Sequence, residues 1–412
     1  MHEPPIAVAS RLGQVRYDIR GPLSRRAHEL ERDGQAILRL HIGNPGLFGF
    51  RVPQHLRDAI AEHLPRSEAY CHQQGLVEAR EAIAALHRRN GVAASAEQVF
   101  IGNGVSELID LSLRALLDEG DEVLVPAPDY PLWTAATRLN GGVPVHYPCP
   151  ATREHLPDAA EIEALVTPRT RALVIINPNN PTGAVYPREL LLALVDIARR
   201  HRLVLLGDEI YDSVLYDGAS HTPLAPLAAE VPCISYGGLS KVHLACGYRV
   251  GWLVLSGAPA RTGELLRALD LLASLRLCSN VTAQWAIRPA LEGPNEIGRL
   301  TAPGGRLHAA RAAICDAVGR SAFLRVVAPH GALYAFPSVD PQRLPDFDDA
   351  RFALDLLEAE RILLVPGSSF NIAARNHFRV TLLPEPAVLE DAFARLERQL
   401  ERCAEQAARR VA

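Results

Sequence analysis

Two charged residues raise the question of chemistry. Lys241 lies behind Gly237-Gly238-Leu239-Ser240, and Arg249 follows in Gly247-Tyr248-Arg249-Val250-Gly251-Trp252. Held there, the lysine reads as a reactive amine and the arginine as an anion ligand, although a lone lysine is more often a solvated surface residue. Asp208 stands in Gly207-Asp208-Glu209-Ile210-Tyr211, where an apolar strand ends. Carboxyl ends of strands in an open α/β sheet face the ligand crevice, so Asp208 is placed to meet a ligand; a helix N-cap is the plainer alternative. A second strand runs into Asn177-Pro178-Asn179-Asn180-Pro181-Thr182-Gly183, whose prolines fix the backbone and leave side-chain amides available, for a ligand or merely for the turn. A third opens through Gly102-Asn103-Gly104 onto a helix starting Val105-Ser106-Glu107, whose free N–H groups and dipole favour a phosphate. As a dinucleotide fingerprint it is weak, because Glu107 stands where the third glycine belongs.

The elements that must hold these residues are short apolar strands, expected at 98–101, 122–126, 143–147, 170–176, 203–206, 233–236 and 252–255. Amphipathic segments at 105–117, 132–140, 162–166 and 188–201 alternate with them. That alternation predicts an α/β domain with a largely parallel sheet covered on both faces. Ahead of it come an irregular arm with Tyr17 and Arg20, a helix over 22–33, a strand over 36–42, the turn Gly43-Asn44-Pro45-Gly46, and helices over 53–64 and 77–90. Helices at 259–275, 281–291 and 304–318 follow, then strand-like 324–328 and 332–337, a helix over 348–361, the run 362–366, a strand over 377–383 and a closing helix from 386. The expected division is an arm and part of a small domain over 1–52, a large domain over 53–300, and a smaller α+β domain over 301–412.

With 412 residues, 48% hydrophobic and 22% charged, the chain can bury a large core in two domains. Its net charge of −4 argues against nucleic acid or a polybasic membrane contact. No apolar run approaches the roughly 20 residues that span a bilayer, and the first residues lack the basic-then-apolar pattern of a signal peptide, so the expected location is the cytoplasm. Seven dispersed cysteines without a Cys-x-x-Cys pair read as reduced thiols, and fifteen histidines without His-Glu-x-x-His spacing give no metal site.

Ser240-Lys241 with its Arg249 segment, the Asn180-Pro181-Thr182-Gly183 turn, Asp208-Glu209-Ile210-Tyr211 and Asn376-His377-Phe378-Arg379 together resemble the pyridoxal-phosphate aminotransferases of fold type I, the class I/II group. The resemblance runs from Tyr17-Asp18-Ile19-Arg20-Gly21-Pro22 to Phe378-Arg379-Val380-Thr381. Within the group, Gly43-Asn44-Pro45, Ala127-Pro128-Asp129-Tyr130-Pro131-Leu132-Trp133 and Arg276-Leu277-Cys278 are similar to the bacterial alanine aminotransferases that use glutamate and pyruvate.

The resemblance implies pyridoxal 5'-phosphate as cofactor and a homodimer acting on an amino acid and a 2-oxo acid. Lys241 would form the Schiff base and then carry protons. Asp208 would pair with the ring nitrogen, Asn180 and Tyr211 would serve the phenolic oxygen, and Tyr130 would stack on the ring. Gly104, Val105, Ser106, Ser240 and Arg249 would hold the phosphate, joined by Tyr70 of a neighbouring subunit. Arg379 would clamp the substrate α-carboxylate and Gly43 would line the substrate side. Tyr17 and Arg20 lie on the arm; Arg20 either receives glutamate's distal carboxylate or makes a surface ion pair.

This chain departs from the family at Gly238, where many members have a serine, at Val242-His243-Leu244-Ala245-Cys246, and at Ile372-Ala373. These departures bear on substrate preference. The fold also supports branched-chain, aromatic or aspartate transamination and β-elimination. A nicotinamide dehydrogenase using the Gly102-Asn103-Gly104 turn would need an acidic ribose ligand near the second strand's end, where Pro126-Ala127-Pro128 stands instead.

Overall fold

The computed structural model describes residues 6–17, 19 and 21–411, so the expected role of Arg20 lies outside the described residues. Seven strands make the main sheet: β1 (Val99–Gly102), β2 (Glu122–Ala127), β3 (Val143–Pro148), β4 (Thr170–Ile176), β5 (Val204–Asp208), β6 (Cys233–Gly238) and β7 (Gly251–Ser256). They lie in the order β1-β7-β6-β5-β4-β2-β3, and β7 alone runs antiparallel to its neighbours. Each falls on a segment where the sequence predicts a strand.

The strands read as continuous apolar runs because both faces are buried. In β4, Leu173 and Ile175 join one core with Leu205 and Val254, while Ala172, Val174 and Ile176 join the other with Val123, Leu206 and Ile234. Helices cover each face. On the first lies α2 (Arg188–His201), whose Leu191, Leu194, Val195 and Ala198 recur at helical spacing; it stops at Arg202, in the left-handed conformation. On the second lie α1 (Val105–Leu116) and α3 (Pro259–Leu275), through Leu108, Ile109, Leu265 and Leu269.

A smaller antiparallel sheet, ordered β8-β10-β9, combines β8 (Tyr334–Ala335), β9 (Val365–Pro366) and β10 (Phe378–Thr381). It packs on α4 (Arg306–Arg320) and α5 (Pro386–Val411) in a core that holds Leu307, Ile314, Phe378, Val380, Leu389, Phe393 and Leu396. Leu38–Arg39 pairs in parallel with Ile362–Leu363, which ties the first strand of the chain to this C-terminal region.

Outside the main sheet the expected elements shrink. The strand expected over 36–42 pairs at two residues only, and that over 324–328 only at Leu324–Arg325. Apolar pattern there marks burial more than pairing: Leu40 and Leu333 are fully buried beyond the ends of their ladders. The helix expected over 281–291 divides into a 3-10 turn, Thr282–Ala286, and an α segment, Ile287–Glu292. Among the described residues no helix is long and apolar enough to cross a membrane.

Candidate active site

The parallel strands deliver their chemistry to one edge. β1 leads to Gly104, β2 to Asp129 and Tyr130, β4 to Asn180, β5 ends on Asp208, and β6 leads to Ser240 and Lys241, all at carboxyl ends where an open sheet forms its crevice. Asp208 is 4% exposed. One carboxylate oxygen, Oδ2, accepts the Trp133 indole N–H at 3.1 Å; the other, Oδ1, is buried without a partner. Burial pushes this carboxyl up to about 6, against the opposing hydrogen bonds from Trp133 and the Ile210 backbone. A buried, half-satisfied carboxylate is a ready place for a cationic N–H donor.

Lys241 Nζ donates to the Gly43 carbonyl at 2.9 Å and lies 3.8 Å from the Cys246 sulfur. Burial disfavours its charge, but the Tyr334 phenol and Cys246 thiol outweigh that and hold the amine above its ordinary value. The Cys246 thiol is itself held by the Ser240 carbonyl at 2.9 Å.

On the phosphate side, Gly104 has φ +85° and offers no side-chain cap to α1. A Cβ there would strike the Arg249 guanidinium, and one on Gly251 would strike the Val105 N–H. Arg249, also left-handed at φ 54°, donates to the carbonyls of Asn103 at 3.2 Å and Cys246 at 3.1 Å. Gly104, Val105 and Ser106 at the N-terminus of α1 thus meet the Arg249 guanidinium in a geometry suited to an anion, and Ser240 lies two residues past the end of β6.

Opposite this edge, β10 supplies Arg379, 1% exposed. It donates to Asn180 Oδ1 at 2.9 Å and to the His41 carbonyl at 2.6 Å, while its Nε is buried without a partner. Its guanidinium carbon sits 4.1 Å from the Tyr334 ring centre and 4.9 Å from that of Phe370. Tyr211, 2% exposed, donates to the Tyr334 hydroxyl at 3.4 Å, and the hydroxyls of Tyr17 and Tyr130 are 3.1 Å apart.

The loop before Tyr130 is locked by Asp129, which is fully buried. Thr134 Oγ1 donates to its Oδ2 at 2.6 Å, Asn371 Nδ2 to its Oδ1 at 2.9 Å, and its own N–H to the Phe370 carbonyl at 3.1 Å. Burial pushes the Asp129 carboxyl up to about 7, against the Thr134 and Asn371 hydrogen bonds.

The structure thus gathers Tyr17, Gly43, Tyr130, Asn180, Asp208, Tyr211, Lys241 and Arg379 around one crevice, with the Arg249 cradle at its end. Tyr70 stands apart, 78% exposed. Sequence reading missed Tyr334, which touches Arg379 and Tyr211, and a Cβ on Gly43 would collide with its hydroxyl. An aromatic residue in a short strand reads as core; only the register of β8 against β10 reveals its place.

A reactive-amine candidate and a buried carboxylate at the edge of a mostly parallel sheet, faced by a guanidinium from a smaller sheet, define a transferase of the fold type I architecture. The chain belongs to the aminotransferase class I and II family, whose model matches residues 35–396, and it is a transaminase. It is 46% identical over 397 residues to the glutamate-pyruvate aminotransferase AlaA of Escherichia coli, covering 96% of this chain and 98% of that protein. An alanine aminotransferase of Mycobacterium bovis is also 46% identical, over 95% of this chain and 91% of its own length. The crystal structure of an aminotransferase from Escherichia coli superposes with a TM-score of 0.95 at 45% identity, covering 97% of this chain and 99% of that one.

Proposed function

We propose that this transaminase uses pyridoxal 5'-phosphate to move an amino group between L-alanine and 2-oxoglutarate, giving pyruvate and L-glutamate, with Lys241 as the reactive amine. The observation that carries the reading is the Asp208 carboxylate, whose buried Oδ1 lacks a partner in the same crevice as the Lys241 amine. The cofactor fits this donor set: a protonated ring nitrogen answers Asp208, and a phosphate answers the Gly104, Val105, Ser106, Ser240 and Arg249 cradle.

Bound there, pyridoxal phosphate supplies an aldehyde for the amine and a charged ring that accepts the electron pair of the substrate α-carbon. The protein supplies the rest. Asp208 would keep the ring nitrogen protonated, Asn180 and Tyr211 would hold the phenolic oxygen, and Tyr130 would cover a ring face. Lys241 Nζ takes the α-proton on one side of the cycle and returns it on the other. Arg379 holds the α-carboxylate common to both substrates, with its free Nε and a guanidinium fork kept rigid by two rings. Tyr17 and Gly43 border the substrate side.

The substrate pair is supported by relatives named for glutamate–pyruvate and alanine transamination over nearly the whole chain. A cytoplasmic homodimer is part of the proposal. Exposed Tyr70, Leu271, Leu275 and Leu277 support it as apolar surface suited to a second copy, where Tyr70 would reach the partner's phosphate. So is a division into a large domain over 53–300 and a small one from 1–52 and 301–412, supported by the pairing of Leu38–Arg39 with Ile362–Leu363.

The test is optical. Purified protein with pyridoxal phosphate should show a yellow absorbance band that alanine bleaches and 2-oxoglutarate restores. Lys241→Ala should remove the band and lower kcat by about 10⁴-fold or more, the scale of losing a covalent and proton-transfer group. A protein that stays colourless, or a Lys241→Ala variant with unchanged spectrum and rate, defeats the reading. Equal rates with leucine or aspartate as donor would remove alanine alone.

A further inference from the structure

Tyr334 has a place that none of the sequence motifs assigns. β8 and β10 pair antiparallel with Tyr334 opposite Thr381 and Ala335 opposite Val380. Arg379 is two residues from Thr381 and so shares its face, which makes Tyr334 and Arg379 diagonal neighbours on one side of the ladder. The Tyr334 ring therefore lies against the guanidinium at 4.1 Å, and the Phe370 ring is a second neighbour at 4.9 Å. At its far end the Tyr334 hydroxyl meets the Tyr211 hydroxyl at 3.4 Å and lies against Gly43, where a Cβ would collide with it. The Gly43 carbonyl in turn accepts the Lys241 amine at 2.9 Å.

We infer that Tyr334 is a positioning residue of this site, its ring fixing the Arg379 carboxylate clamp and its hydroxyl bracing Tyr211 and the Gly43 backbone beside Lys241. The inference rests on the transaminase reading of the same crevice. Ring and hydroxyl act on different partners, so their contributions separate. The ring is a platform for a buried cation and sets how firmly an α-carboxylate is held, whichever substrate brings it. The hydroxyl acts through Tyr211: when Tyr211 turns its hydrogen to the phenolic oxygen of the cofactor, Tyr334 can donate to Tyr211 in return. Such a relay strengthens the donor that faces a negative oxygen, because hydrogen bonds in series polarise one another.

Two substitutions test this in the holoenzyme. Tyr334→Phe keeps the platform and removes the hydroxyl. It should leave KM for alanine and for 2-oxoglutarate within about twofold, lower kcat about tenfold, and raise the pH midpoint of the visible band, since a weaker donor stabilises the anionic oxygen less. Tyr334→Leu removes the platform and should raise KM for both substrates at least about tenfold. Circular dichroism confirms that each variant is folded. Variants with wild-type KM, kcat and midpoint overturn the inference. So does a uniform loss of kcat in both variants with an unmoved midpoint, the mark of packing damage alone. A wild-type protein with no visible band and no transamination overturns the underlying reading as well, which distinguishes that failure from the first two.

Discussion

The wall that carries Lys241, Asp208 and the Gly104 cradle rises from strands of up to seven residues in one continuous sheet, whereas the wall that carries Arg379 and Tyr334 rests on strands of two to four. On the first wall, ladder hydrogen bonds set the geometry: Ile176 pairs with Asp208, and Asp208 with Tyr236. On the second, side chains do that work. Arg379 is held by two rings, an amide and a carbonyl, and the Phe370–Asn371 turn is pinned through Asp129. Backbone ladders tolerate surface change; a wall built of side chains depends on each of them.

The difference can be broken experimentally, beginning with the strongest contact. Arg379→Ala removes a buried, charge-assisted clamp and should raise KM for alanine and 2-oxoglutarate together by about 100-fold or more in steady-state assays, with the visible band at its wild-type wavelength. A displaced band would show that the Arg379–Asn180 hydrogen bond, which joins the two walls, also sets the surroundings of the ring.

Asp208→Asn tests the other wall and should separate stability from activity. The Asp208 carboxyl has a folded pKa of about 6 against an ordinary 3.8, so the folded cofactor-free protein binds more protons and loses stability as pH rises from about 4 to about 6. Removing the charge should therefore stabilise the cofactor-free protein by about 3 kcal/mol in urea unfolding above pH 7, and by almost nothing near pH 4. Transamination should fall sharply, because the ring nitrogen loses its counter-charge. No stability gain at high pH would mean that the orphan oxygen is solvated. The smallest effect belongs to Tyr17→Phe, which removes one hydroxyl contact to Tyr130: about 1 kcal/mol, or less than about tenfold in kcat/KM.

The first wall was legible in the sequence, and the second was legible only in part. Buried parallel strands must be apolar runs, and their ends must turn through Gly, Asn and Pro; Asp208, Asn180, Lys241 and Gly104 therefore announce themselves by local context. Arg379 emerged only through resemblance to a family. Tyr334 did not emerge, because its meaning depends on a two-residue pairing with a distant segment, 334 against 381, that brings it diagonally beside Arg379. Trp133 appeared within a motif, but its hydrogen bond to Asp208 crosses from the first turn of the helix Leu132–Leu139 to the end of a strand and has no local signature. The strand expected over 36–42 is shortened to Leu38–Arg39 for a related reason: apolar residues report burial, while pairing needs a neighbour of matching length.

Asp129 and Asn371 have a consequence for how such an enzyme can diverge. Their hydrogen bond joins the loop that presents Tyr130 to the turn that presents Phe370, so Tyr130 and the ring beside Arg379 share one fastening. Altering the 367–371 turn to admit a bulkier substrate would also disturb the loop that presents Tyr130. New specificities are more accessible at the 242–246 loop, whose Cys246 reaches Lys241 and the Gly43 carbonyl without passing through that fastening.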